Sequence, residues 1–260
     1  MIEITEDINL GCNEIDDFGS YSKIIKAYTA QPLTHPTLIK TGVSVLMLDG
    51  FANVTIFSSN GSSIKHANIT MKNSSNIIIR NIKFDELWEW DEETSGDYDR
   101  NDWDYMTIDS ACNGIWIDHC TFYKAYDGVI DVKNPSPENN VTISWCEFLP
   151  GSEDDIFFDA MMDELDRNSE KYPYYQHLLD AGMTKSQIRG YAYGQKKTHL
   201  FGQSDEAANA AGIKVTLANN YYYNSMDRMP RLRYGYTHVY NCIMDAQELR
   251  DTRTVSYTHL

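Results

Sequence analysis

Gly114-Ile115-Trp116-Ile117-Asp118-His119-Cys120-Thr121-Phe122 and Asn140-Val141-Thr142-Ile143-Ser144-Trp145-Cys146-Glu147-Phe148 are two copies of one loose pattern. A small polar residue comes first, then alternating β-branched residues, a polar pair and an aromatic. Asn53-Val54-Thr55-Ile56-Phe57 opens the series and Asn76-Ile77-Ile78-Ile79-Arg80-Asn81-Ile82-Lys83-Phe84 follows. Lys214-Val215-Thr216-Leu217-Ala218-Asn219-Asn220-Tyr221-Tyr222 and His238-Val239-Tyr240-Asn241-Cys242 come after both. Period-two alternation marks each unit as a strand. Apart from one long interruption the units recur in steps of roughly 23 to 37 residues, the range of stacked repeats. No helical pattern separates them, which argues against alternating strands and helices. Asparagine at equivalent positions suits turns whose amides stack in ladders and whose backbone visits the left-handed region. The expected fold is all-β, a parallel β-helix. An all-β sandwich would need tight hairpins, and only Asn60-Gly61 and Asn113-Gly114 offer them.

The interruption, residues 150–195, has apolar residues at 157, 158, 161, 162 and 165. That is helical spacing, with Ser152 able to cap the start. Tyr172–Leu179 and Thr184–Arg189 suggest further helical turns, with Gly182 as a break. The segment is either a lid near a cleft or a cover for a flank of the helix. Residues 1–52 are read as a segment leading into the β-helix, 53–149 and 196–250 as the β-helix, and 251–260 as the end of a fragment. The acidic start Met1-Ile2-Glu3-Ile4-Thr5-Glu6-Asp7 lacks the basic and apolar regions of a signal peptide.

A net charge of −16 argues against nucleic acid and anionic membranes as partners. No apolar run is long enough to span a bilayer. The five cysteines include no C-x-x-C pair. Cys120 and Cys146 hold equivalent repeat positions and read as stacked core residues rather than a disulfide. The 18 Tyr and five Trp suit either a surface that stacks on sugar-like ligands or the core.

Against this acidity, Arg228-Met229-Pro230-Arg231-Leu232-Arg233 puts three arginines in six residues. Like charges this close repel, so the run implies an anionic partner: a ligand, or acids elsewhere in the chain. Two acid pairs stand out, Asp102-Trp103-Asp104 and Asp127-Gly128-Val129-Ile130-Asp131. Even spacing puts both members of a pair on one face of an extended strand. Stacked units could bring the pairs together, and hard oxygen ligands without His or Cys favour Ca²⁺. Solvated surface acids are the alternative. His119 and His238 lie in strand patterns and read as structural, with no nucleophile motif nearby.

These residues resemble polysaccharide lyase family 1, the pectate lyases. The likeness runs through Gly114–Phe122, Tyr126–Asp131 and Val141–Trp145, then Lys197-Thr198-His199-Leu200-Phe201-Gly202-Gln203-Ser204-Asp205. It ends with Arg228–Gly235 and His238–Asn241. The resemblance implies a right-handed parallel β-helix and Ca²⁺-dependent β-elimination on polygalacturonate, giving unsaturated oligogalacturonides. Asp104, Asp127 and Asp131 match calcium ligands, and Asp102 matches a further acid used in some members. Arg228 matches the proposed base, and Lys197 and Arg233 match residues that hold the substrate carboxylate. Family members are usually secreted, and a monomer is expected. The insertion before Lys197 departs from the many members with a short loop there. Trp88, Trp90 and Trp103 beside the first acid pair are reminiscent of pectin lyases, but retained acids favour pectate. A galacturonan hydrolase would carry a Gly-His-Gly motif, which is absent. A non-catalytic pectin-binding helix would have no need of Lys197, Arg228 and Arg233.

Overall fold

The longer repeat units prove to be two strands joined at a tight corner rather than one continuous strand. In 114–122 the chain runs through Asn113–Asp118, turns at His119, and resumes at Thr121–Phe122. The corner residue is left-handed in five coils: Asn81 (φ 54°), His119 (51°), Trp145 (53°), Asn219 (58°) and Asn241 (51°). Asparagine tolerates that region because its short polar side chain bonds locally. His119 and Trp145 adopt it too, exposed, with their rings stacked at 5.9 Å.

The structure is a computed structural model, described for residues 1–10, 44–87, 104–123, 125, 127–135, 138–149, 156–193, 197–225 and 227–245. Three parallel sheets wind into a right-handed parallel β-helix. The first stacks Ile2–Glu3, Ala52–Phe57, Ser75–Arg80, Asn113–Asp118, Asn139–Ser144, Ile213–Ala218 and Tyr236–Tyr240. The second stacks Ile8–Asn9, Ser63–Lys65, Lys83–Asp85, Thr121–Phe122, Glu147–Phe148, Tyr221–Tyr223 and Ile243–Asp245. The third stacks Ser44–Asp49, Ala67–Lys72, Met106–Ile108, Ile130–Val132, His199–Phe201 and Arg231–Leu232. Parallel pairing therefore reaches back to Ile2–Glu3, which pairs with Ile56 and Phe57.

Equal register places like residues above one another. Ile79, Ile117, Ile143 and Leu217 form one buried column. Phe84, Phe122, Phe148 and Tyr222 form another, with ring centroids 4.9, 5.3 and 4.7 Å apart and planes within 8° of parallel. Cys120 and Cys146 are buried free thiols, as their repeat positions predict. Burial holds the Cys146 thiol well above the ordinary thiol range. The asparagines sort into two ladders. Asn76 donates to Asn53 (2.8 Å) and Asn140 to Asn113 (2.7 Å) at strand starts, while Asn241 donates to Asn219 at the corner.

The interruption holds α1 (Ile156–Arg167), α2 (Pro173–Asp180) and α3 (Lys185–Tyr193). Met162, Leu165, Tyr172, Tyr175 and Ile188 are buried among its described residues. Gly182, at φ 92°, breaks the chain after α2 as expected. Ser152 lies outside the described residues. No helix among them is long and apolar enough to cross a membrane.

Candidate functional site

Four charged residues precede strands of the third sheet in four successive coils. Asp104 comes before Met106–Ile108, Asp127 before Ile130–Val132, Lys197 before His199–Phe201, and Arg228 before Arg231–Leu232. Hydrogen bonds beyond the strand ends hold them in step. Met106 N–H donates to Val129 O (3.0 Å), Val129 N–H to Thr198 O (3.0 Å), and His199 N–H to Arg228 O (2.7 Å). Lys197 also bridges to Asp227. Asp131 follows from alternation: Ile130 and Val132 turn into the core, so the residue between them turns outward. Asp131 pairs in register with Thr107 and Leu200, and Leu200 with Arg231.

Three acids expected on one face do gather here. They are not solvated surface acids, since Asp104 is 0% exposed, Asp127 4% and Asp131 1%. Asp102 lies outside the described residues, as do Trp88, Trp90, Trp103, Tyr126 and Lys196. Cations face the acids. Lys197 Nζ contacts Asp127, and Arg228 Nη1 is 3.5 Å from Asp127 Oδ2. Lys133 Nζ is 3.1 Å from Asp131 Oδ2 and 3.7 Å from Asp104 Oδ2. Burial pushes the Asp131 carboxyl above its ordinary range; Lys133 and Arg228 oppose the shift and Asp127 adds to it.

Sequence reasoning missed Lys133, though Asp131-Val132-Lys133 carries the same even spacing used for the acids. It also missed Gly128, whose N–H donates to Asp104 Oδ1 at 2.9 Å. A Cβ there would lie 2.6 Å from that oxygen and 3.3 Å from Asp131 Oδ1, so only glycine leaves the carboxylates room.

The arginine run divides. Arg228 sits among the acids at φ 59°, a left-handed conformation that costs an ordinary residue about 1–3 kcal/mol. Arg233 is engaged by its own chain: Nε lies 2.9 Å from Asp205 Oδ1, and Nη1 donates to Gln203 O (2.6 Å). Arg231 is exposed and makes no ion pair among the described residues. The run thus pairs partly with acids of the same chain. His119 bonds to Asp118 (2.7 Å) at its corner, and His238 stands on the first sheet in register with Thr216, neither bonded to Asp104, Asp127 or Asp131 among the described residues. Exposed Trp116 and Tyr236 line a groove of about 920 Å³ on that same sheet, while Tyr105, Tyr175 and Tyr222 are fully buried. The core reading of the aromatic content therefore holds for those three tyrosines.

The donor chemistry suits a hard divalent cation: buried carboxylates, and an Asp131 Oδ1 with no hydrogen-bond partner among the described residues. As the side chains stand, those residues present no closed group of three metal-ligating side chains. Lysines occupy positions beside the carboxylates instead.

A family model described as pectate lyase matches residues 47–176 and 184–257. Pectate lyase B of Paenibacillus amylolyticus is 48% identical over 258 residues, covering 98% of this chain and 64% of its own length. The pectate trisaccharide-lyase of Thermotoga maritima is 29% identical over 238 residues, covering 86% of this chain and 51% of its own length. Among solved structures, a pectate lyase from Paenibacillus sp. 0602 superposes with a TM-score of 0.78 at 46% identity, over 99% of this chain and 57% of that one. The chain thus spans less than two thirds of each of these relatives.

Proposed function

Since the chain belongs to the pectate lyase family, we propose that it cleaves polygalacturonate by Ca²⁺-dependent β-elimination, releasing unsaturated oligogalacturonides. One observation carries the reading. In a chain of this family, Asp104, Asp127 and Asp131 lie buried in one cluster, and Asp127 contacts both Lys197 and Arg228.

Elimination removes a proton from the carbon beside a uronate carboxylate and breaks the bond to the glycosidic oxygen on the next carbon. The developing charge spreads onto a group already negative, so the reaction needs positive charge at that carboxylate. A bound calcium ion would supply such charge. Asp104, Asp127 and Asp131 would hold it, with Asp102 as a further acid. Lys197 and Arg233 would bind the carboxylate, Arg233 by exchanging Asp205 for it. Arg228 would take the proton. A guanidinium normally keeps its own, so the role requires positive charge beside it, which bound calcium and Lys197 would supply. Polygalacturonate outside the cell is the partner in this reading, and the working unit is a monomer.

Incubation with polygalacturonate separates the possibilities. Ultraviolet absorbance from the unsaturated product should rise with calcium and stop with chelator. Arg228→Lys should lower the rate by about 10²–10⁴-fold. Reducing ends without that absorbance would mean hydrolysis, and binding without either would mean a non-catalytic module.

A further inference from the structure

We propose that Lys133 is a built-in counter-ion of the carboxylate cluster, and that a divalent cation must displace its ammonium to bind. This rests on the calcium reading above and concerns how that site is regulated.

Charge balance leads to it. Among the described residues the cluster holds three buried carboxylates, Asp104, Asp127 and Asp131. Three cations contact them: Lys197 and Arg228 on Asp127, and Lys133 on Asp131 and Asp104. Adding a dication beside three cations already held there crowds like charges in a poorly solvating place, which is costly. Something positive has to leave.

Geometry selects Lys133. Lys197 and Arg228 both face Asp127, whereas Lys133 contacts two acids, at 3.1 and 3.7 Å. Its ammonium thus lies between two oxygens that a calcium ion would need. Asp131 Oδ1 is buried without a hydrogen-bond partner among the described residues, so the ammonium satisfies only one side of that carboxylate. Lys133 also has somewhere to go: its side chain is 18% exposed, against 0% and 1% for the two acids. Four flexible methylenes let the head swing to solvent while the stem stays packed. The exchange holds the acids together without metal and weakens metal binding by the strength of the lysine contacts.

Calorimetric titration of CaCl₂ into the full chain tests this, on wild type, Lys133→Met, Lys133→Arg and Asp131→Asn. Lys133→Met should bind calcium at least about tenfold more tightly, because one competing unit charge near 4 Å is gone. Lys133→Arg should stay near wild type. In chelator Lys133→Met should melt below wild type, and saturating calcium should close that gap, which a merely structural lysine would not produce. If Lys133→Met is unstable, Lys133→Gln is read in its place. Equal or weaker calcium affinity in the neutral variants, with binding lost in Asp131→Asn, would overturn the exchange but keep the calcium site. No binding by wild type, or binding indifferent to Asp131→Asn, would overturn the calcium reading and the exchange with it.

Discussion

His199 shows how a motif residue can stand apart from the charged cluster. It lies in the Lys197–Asp205 stretch, yet its ring is fully buried, edge-on to Phe148 at 4.8 Å with Nε2 3.1 Å from the Tyr222 hydroxyl. Burial lowers its pKa to about 3, and does the same to His66. An unfolded histidine takes up a proton below 6.5 while these two stay neutral in the fold. Their contribution to stability is therefore complete above pH 6.5 and is lost as pH falls towards 3. Each should add about 1.4 kcal/mol per pH unit to the acid-side slope. His199→Gln should flatten that slope by one such step, measured by denaturant midpoints across the range. An unchanged slope would mean that the buried ring already titrates in the fold. At this scale the residue types were legible but their roles were not. Asp104, Asp127, Asp131, Lys197 and Arg228 could be chosen by charge and spacing. Lys133 was hidden because one lysine among acids resembles any surface pair, and only burial reveals its two partners.

The elements were legible where alternation is long and hidden where strands are short. Units such as Asn140–Phe148 announce themselves, but their division at a corner does not, because His119 and Trp145 replace the asparagine that signals the turn. The third sheet was harder still: Ile130–Val132 and Arg231–Leu232 are too short for periodicity to register, and neighbouring coils define them. The three helices kept their expected places, with α3 running beyond Thr184–Arg189 to Tyr193. Stability at this scale should sit in the stacked columns. Phe122 lies between Phe84 and Phe148 and also meets Tyr105, so Phe122→Ala removes three ring contacts and opens a cavity. The loss should be about 3–5 kcal/mol. Asn140→Ala on the exposed ladder should cost about 1 kcal/mol or less. Equal losses in urea unfolding would show that amide ladders, not ring stacks, hold the coils.

Across the whole molecule, a chain of net charge −16 would, in the proposed reaction, receive a polyanion. Repulsion from the surface would act over long distances, while Lys197, Arg228 and Arg233 would act at contact. Screening removes the long-range part first, with a Debye length of about 10 Å at 0.1 M salt. At fixed saturating calcium, raising NaCl from low values to about 0.1 M should therefore lower KM for polygalacturonate. A basic enzyme would respond the other way, and a steady rise in KM would show that local cations dominate the encounter.

The stacking of Asp104, Asp127, Lys197 and Arg228 makes the solenoid a ruler. Each contributes from its own turn, and turns are set about 4.8 Å apart by backbone pairing. Splicing a turn in or out between Met106 and Leu232 would misalign acid and cation by a full graduation, more than the 3.5 Å that separates Arg228 from Asp127. Turns added before Met106 would leave the alignment intact. The protein can therefore vary in length outside that window, but within it the tally of turns is locked.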